Sequence, residues 1–303
     1  MIEGNRSKPA RSGRSAAGPP EPALPARRRR SRALVVGAGI VAALVLFALV
    51  GPVLSGHDPN ASDFVHGISP ERLPAGPSAR FWLGTDRLFR DELSRLAVGA
   101  RISLFIGVSA TLLATVIGAF VGVVAGWFEG RWVDAALMRL VDVGLAFPFV
   151  LLVMFLASAL DRTTPTTILL TLGLTGWLGT ARIIRAKTMQ IRGLDFVTAS
   201  RALGQSTAGI MVRHVLPNVA GPLLVVATVS VAQMILAESV LSFLGGGIAP
   251  PTPTWGRMLF EGQDYFTAAP WISMAPGLAI MASVLGFNML GEGLRDALDP
   301  RKT

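Results

Sequence analysis

The 303-residue chain has no cysteine, three histidines and one tyrosine, and only 16% of its residues are charged. Without cysteine it cannot form disulfides, iron–sulfur clusters or thiolate metal sites. The three histidines are scattered and form no ligand pattern, so we predict no metal site. Because 51% of the residues are hydrophobic, so few charges cannot cover a soluble core, and the composition indicates a membrane protein.

Sequence signatures of catalysis are also missing. A phosphate-binding loop would end in Gly-Lys-Ser/Thr, but Lys187-Thr188 follows Ala186, and Ala181 stands where the first loop glycine would fall. No nucleophile elbow, paired-carboxylate site or zinc motif is evident. We therefore predict no catalytic residue, no enzymatic activity and no cofactor bound by this chain.

A net charge of +9 can indicate a protein that binds nucleic acid, but nine of the 28 basic residues lie in the first 32 positions. That distribution is typical of a topology signal next to a membrane span, so we predict no nucleic-acid partner. Residues 1–32 are rich in Pro, Ala, Ser, Gly and Arg and lack apolar periodicity. They are predicted to form a disordered, basic cytoplasmic tail.

Apolar runs predict an all-α membrane protein with six transmembrane helices in the lipid bilayer. The predicted spans are residues 33–54, 102–126, 138–160, 166–184, 219–241 and 271–290. Pro148 should kink the third span. The distribution of basic residues places both termini in the cytoplasm and makes residues 55–101 an extracytoplasmic loop. Residues 102–303 then form a five-helix core.

Small and polar residues stand out within the predicted spans. Gly118, Gly122 and Gly126 share one helix face, which favours close approach of a second helix. Polar residues inside spans are candidates to line a translocation path, and these are Gln233, Glu238 and Asn288. For Glu238 the alternative is an interface-level residue near the outer end of the fifth span.

The most informative segment is the loop 194–217 between the fourth and fifth spans. Two amphipathic helices are predicted, at 194–203 and 206–214, on either side of Gly204, which can adopt the positive φ that ends a helix. Phe196, Ala199 and Leu203 form an apolar face, and Ser206 can cap the second helix. Pro217 is expected to stop that helix, so that the chain turns into the fifth span. Such a small helix pair either lies on the membrane or docks on a partner, and spacing alone leaves both open.

This loop resembles the EAA loop of ABC-importer permeases. The matching residues are Thr198-Ala199-Ser200, Gly204 and Leu216-Pro217, with Thr198 in place of the glutamate and Ser200 in place of the second alanine. The resemblance implies a coupling helix that docks on an ATPase. The residues that it assigns to this contact are Phe196, Thr198, Ala199, Ser200, Leu203, Gly204, Ile210, Leu216 and Pro217.

Motifs over about residues 33–302 narrow the resemblance to dipeptide/oligopeptide permeases of the C type, in the peptide/nickel importer group. They include Leu83-Gly-Thr-Asp86, Arg90-Asp91, Ser94-Arg95, Ala146-Phe147-Pro148, Leu241-Ser-Phe-Leu-Gly245, Pro250-Pro-Thr-Pro253 and Leu294-Arg-Asp-Ala-Leu-Asp-Pro300. Phe89 replaces a glycine that is usual in that family.

The resemblance implies the ABC importer type I permease fold, in the cytoplasmic membrane of a bacterium. Its implied partners are a second homologous permease, two ATPase subunits that bind ATP and Mg²⁺, and an extracytoplasmic solute-binding protein. The implied substrate is a dipeptide or oligopeptide. Nickel or another small solute of the same group is the near alternative. A stand-alone carrier or channel and a membrane scaffold are more distant ones.

Overall fold

The computed structural model describes residues 32–159 and 163–298, so most of the predicted tail lies outside the described residues. The helices are α1 (Arg32–Ser55), α2 (Glu92–Trp127), α3 (Trp132–Leu145), α4 (Phe149–Ser158), α5 (Pro165–Thr175), α6 (Trp177–Arg192), α7 (Asp195–Ala202), α8 (Thr207–Ile210), α9 (Leu216–Phe243), α10 (Trp255–Gly262) and α11 (Trp271–Leu298). Within the two described ranges there are isolated β-bridges, all in the 62–91 segment, and no strands.

In the described part of the chain, five helical stretches are long and apolar enough to cross a membrane: α1, α2, α5 with α6, the stretch Thr207–Phe243, and α11. The pair α3 and α4 makes a sixth if the two helices count as one broken span. The all-helical fold class is therefore confirmed. The six predicted spans correspond to these five helices and this broken pair.

The third predicted span, 138–160, is two helices that meet at 85°, a larger change of direction than the expected kink. The sequence explains the break, because the residue before a proline disfavours helical dihedrals and Phe147 is followed by Pro148. Helix α3 ends at Leu145, and Pro148 precedes the first residue of α4.

Helix α2 begins at Glu92, ten residues before the start predicted at residue 102. The charged residues in this segment are typical of a loop in the sequence. In the structure, the Asp91 carboxylate caps the helix by accepting the Ser94 N–H at 2.8 Å. With 36 residues, α2 is about 54 Å long at 1.5 Å per residue, well beyond the ~30 Å of hydrocarbon. Its first turns therefore extend past the apolar layer.

The glycine face of α2 packs directly against α6. A β-carbon added at Gly118, Gly122 or Gly126 would lie within 2.7 Å of atoms of α6, including the backbone oxygens of Ala181 and Arg185. The predicted close approach of a second helix at these glycines is confirmed. Helix α2 also packs against α1, α5 and α9, so it is the central helix of the bundle.

Buried charged side chains hold the N-terminal end of α2 to the neighbouring loop and to α10. We call Asp86, Arg90, Arg95, Arg257 and Glu261 the ion cluster. The Arg90 Nε donates to Asp86 at 2.7 Å, and the Arg90 and Arg95 guanidinium groups each donate to Glu261 Oε2 at 3.1 Å. Arg257 donates to the other Glu261 oxygen at 3.0 Å. The cluster thus makes this end of the bundle one unit.

Candidate functional site

The loop 194–217 has the helix–glycine–helix form expected from its sequence. Gly204 has a φ of +79°, which confirms the predicted left-handed conformation. The Gln205 N–H donates to the Ser200 carbonyl at 3.1 Å and the Gly204 N–H to the Arg201 carbonyl at 2.9 Å, the pair of bonds that defines a Schellman motif. Ser206 caps α8 as predicted, accepting the Gly209 N–H at 3.2 Å.

The proline stop predicted at Pro217 is wrong. A π-helical turn, Met211–Val215, joins α8 to α9, and the helical stretch runs without interruption from Thr207 to Phe243. Pro217 is the second residue of α9 and directly follows the π-helical turn, which accommodates it inside a continuous helical stretch. The second loop helix is therefore a direct extension of the fifth span.

Helix α7 buries one residue in the bundle and presents its apolar face outward. Val197 is its only buried residue, and it belongs to a core cluster with Ile184, Val215 and Val219. In contrast, Phe196 is 41% exposed and Leu203 is 87% exposed, and Ala199 is exposed as well. The predicted apolar face therefore exists, and among the described residues it is largely open at Leu203 and partly covered at Phe196, whose ring lies 5.9 Å from the His214 ring.

The structure divides the other residues assigned to the ATPase contact into two groups. Ile210 is 1% exposed and belongs to the same core cluster, so it anchors the loop and is not available to a partner. Thr198, Leu216 and Pro217 are exposed. Thr198, at the glutamate position, has no side-chain hydrogen bond to any residue in 32–159 or 163–298. It is thus free for an external contact.

Several anchoring contacts of α7 are not evident from the sequence. The Arg201 guanidinium lies 4.7 Å from the centre of the Trp127 ring at the end of α2. The Ser200 hydroxyl lies 3.4 Å from His214 Nε2, and this nitrogen is 3.2 Å from the Gln205 side-chain oxygen. The Arg201–Trp127 contact in particular spans 74 positions, and no spacing rule predicts it. Through Trp127, α7 is joined to the same helix whose other end carries the ion cluster.

The three path candidates differ in their surroundings. Glu238 is 0% exposed and accepts hydrogen bonds from the hydroxyls of Ser103 at 3.2 Å and Ser242 at 2.8 Å. It therefore lies in the core of this subunit, and both its role in a path and its depth at the membrane interface stay predictions. Gln233 and Asn288 are exposed on α9 and α11. Among the described residues, no group of three or more His, Asp or Glu side chains is placed to hold a metal ion.

This arrangement of broken and continuous spans with a short helical loop is the type I fold of ABC importer permeases. The described bundle is similar to a chain of the MetNI methionine ABC transporter, solved in inward-facing conformations. The TM-score is 0.53 with 19% identity, and the match covers 67% of this chain and 96% of the transporter chain. That likeness establishes the fold alone.

Sequence comparisons establish the family. Residues 114–303 match the model of binding-protein-dependent transport system inner membrane components. Residues 26–74 match the N-terminal transmembrane domain of oligopeptide transport permease C. The chain therefore belongs to the ABC-importer permeases, and within them to the dipeptide/oligopeptide permeases of the C type, which confirms the resemblance found in its motifs.

Relatives named as peptide permeases match this chain over most of their length. The chain is 37% identical to the oligopeptide transport system permease protein OppC of Bacillus subtilis, covering 91% of this chain and 88% of the relative. It is 36% identical to the dipeptide permease DppC of Alkalihalophilus pseudofirmus, and this match covers 90% of this chain and 87% of the relative. It is also 41% identical to the di/tripeptide permease DppC of Pseudomonas aeruginosa, and this match covers 85% of this chain and 84% of the relative.

Proposed function

We propose that the chain is the transmembrane permease subunit of an ATP-driven importer for dipeptides or oligopeptides, and that it forms half of the translocation pore. The observation that carries the proposal is the loop 194–217, which is firmly anchored on one side and apolar and exposed on the other. Relatives named as peptide permeases support the substrate class.

The exposed face of α7 is suited to a groove on an ATPase subunit. An amphipathic helix gains affinity by burying its apolar face, and Phe196 and Leu203 offer that face here. Two partner ATPases would bind ATP and Mg²⁺, in agreement with the missing phosphate loop in this chain. Their closure would move the loop, and α2 would carry the movement to the ion cluster as part of a rigid-body switch.

The proposal includes a topology. Both termini and the loop 194–217 lie on the cytoplasmic side of a bacterial cytoplasmic membrane, as the basic residues indicate. The ion-cluster end then faces outward, where the segments at about 55–100 and 243–270 meet a solute-binding protein. A second, homologous permease completes the pore.

Co-purification from native membranes tests the proposal. A C-terminally tagged chain is purified in a mild detergent, and the recovered complex is reconstituted with its binding protein for uptake of labelled peptides. We expect a second permease, two ATPase subunits and ATP-dependent peptide uptake. A chain that repeatedly purifies alone yet carries solute would favour the stand-alone carrier. ATP-driven uptake of nickel but not of peptides would favour the near alternative.

A further inference from the structure

A cavity of about 350 Å³ lies where the break between α3 and α4 meets α9 and the junction of α5 with α6. One wall comes from that break, the second from the α5–α6 junction at Gly176, and the third from α9. Its main lining residues are Phe147, Phe149, Gly176, Leu178, Gln233 and Met234. The volume is that of a small-molecule pocket, which spans about 300–1,000 Å³ in proteins.

The position of this cavity excludes lipid as its content. The α3–α4 break and the α5–α6 junction fall near the middle of their spans, and Gln233 lies in the middle third of α9. The Gln233 carboxamide is exposed and has no hydrogen-bond partner in the described part of the chain. Interrupted helices and unpaired polar groups are tolerated at this depth only against protein or in a water-filled cavity.

The lining is neutral and has two polar side chains, Gln233 and Thr175. The Thr175 hydroxyl already donates to the Thr171 carbonyl at 2.7 Å, so Gln233 carries the unpaired donor and acceptor. No Asp, Glu, Lys or Arg is among the lining residues, and the remaining walls are largely apolar. A carboxamide carries an N–H donor and a carbonyl acceptor, as a peptide group does. It therefore matches the backbone of a peptide whatever the side chains of that peptide are.

We propose that this cavity is a contact site for the backbone of the transported peptide, with the Gln233 carboxamide hydrogen-bonded to one of its amide groups. This inference rests on the proposed function, because it assumes that a peptide crosses the membrane along this subunit. It adds a specific site and explains how peptides of different sequence can share it.

Thiol labelling tests whether water reaches the cavity. The chain has no cysteine, so Gln233→Cys introduces its only thiol. In the complete importer in membranes, we expect a charged methanethiosulfonate reagent to label Gln233→Cys, and transported peptide to slow the labelling. Phe120→Cys is the control, since Phe120 is 70% exposed on the apolar surface of α2 and should stay unlabelled. A Gln233→Cys chain that remains unlabelled with and without ATP would mean that a partner subunit covers the cavity, and the inference would be overturned.

Uptake measurements test the hydrogen bond. We expect Gln233→Leu to lower labelled tripeptide uptake about fivefold, the effect of one lost hydrogen bond, while ATPase activity stimulated by the binding protein persists. Gln190→Leu is the matched control, because Gln190 is also an exposed carboxamide but lies on α6 outside the lining of the cavity, and its uptake should stay near the parental rate. If the parental complex carries peptide and Gln233→Leu carries it equally fast, the inference is wrong. If the assembled parental complex carries no peptide at all, the result contradicts the proposed function itself, on which this inference rests.

Discussion

Arg95, near the start of α2, donates a 3.1 Å hydrogen bond to Glu261 of α10, although 166 positions separate the two residues. Their side chains are 1% and 5% exposed, so the pair is removed from solvent. Asp86 also lies 3.0 Å from the Arg95 Nε, which places one guanidinium between two carboxylates. These contacts fix the loop before α2 and helix α10 to the same end of the central helix.

Replacing Arg95 with methionine should destabilise the chain strongly. Asp86 and Glu261 would each lose a charged partner while remaining buried, and breaking a buried ion pair costs about 3–5 kcal/mol. We expect the thermal unfolding midpoint of the purified protein in detergent to fall by about 10 °C.

The matched control for Arg95→Met is Arg182→Met. Arg182 pairs with Asp142 at 2.6 Å, but both side chains are more than half exposed. Losing an exposed pair costs about 1 kcal/mol or less, so the midpoint should move little. If the two variants have equal midpoints, the ion cluster does not stabilise this end of the bundle.

The ion cluster also shows what the sequence could and could not predict. The apolar runs predicted the positions of the spans, because a run of about twenty apolar residues is the length that crosses a membrane as a helix. The start of α2 was missed because Glu92 and Arg95 look like loop residues until Glu261 and the other distant partners are known. The motif that contains Arg95 resembles a family motif, but a resemblance does not show which distant residues the side chain contacts.

The loop 194–217 shows the same division between local and long-range information. The conformation of Gly204 and the cap at Ser206 depend on neighbouring residues, and both were predicted correctly. Pro217 was misread because the π-helical turn before it accommodates the proline, and no sequence pattern signalled that turn. Which face of α7 packs on the bundle depended on Trp127 and on Val219, which lie outside the helix.

Phe89 provides a test of backbone strain. Its φ is +60°, a conformation that L-residues rarely adopt. Phe89→Ala keeps the strain and removes the ring that lies 5.8 Å from the Phe64 ring. We expect Phe89→Gly to be more stable than Phe89→Ala by about 1 kcal/mol, with Phe89→Asn between them, in thermal unfolding in detergent. Equal stability of the alanine and glycine variants would show that the position is not strained.

Glu238 should act in folding and not in transport. Glu238→Gln keeps the shape of the side chain and one acceptor for the Ser103 and Ser242 hydroxyls, so peptide uptake should stay near the parental rate. Glu238→Leu leaves both hydroxyls without their carboxylate in the core and should cost about 1–3 kcal/mol of stability. Uptake and thermal unfolding are measured on the same preparations. Loss of uptake in a stably folded Glu238→Gln chain would contradict this assignment.

Gly204 offers the most direct test of coupling to an ATPase. A β-carbon at Gly204 meets no atom of the described residues within 4 Å, so a substitution disturbs no packing there, although the positive φ strains any side chain. We expect Gly204→Asp to insert normally but to lower ATP-driven uptake by about tenfold or more, because burying an unpaired charge in the docking contact costs more than about 1.4 kcal/mol. ATP hydrolysis and peptide uptake are measured on the same proteoliposomes.

Gly204→Asn separates charge from backbone geometry in this experiment. Asparagine has nearly the same size as aspartate and tolerates a positive φ about as well, but it is neutral. The asparagine variant should therefore retain most of its uptake, whereas the aspartate variant hydrolyses ATP without transport. An equal loss in both variants would point to the backbone conformation as the cause. Normal ATP-driven uptake by Gly204→Asp would mean that this loop is not the ATPase contact. If an ATPase covered the exposed face of α7, the carboxylate at position 204 would be buried and the contact would be weakened.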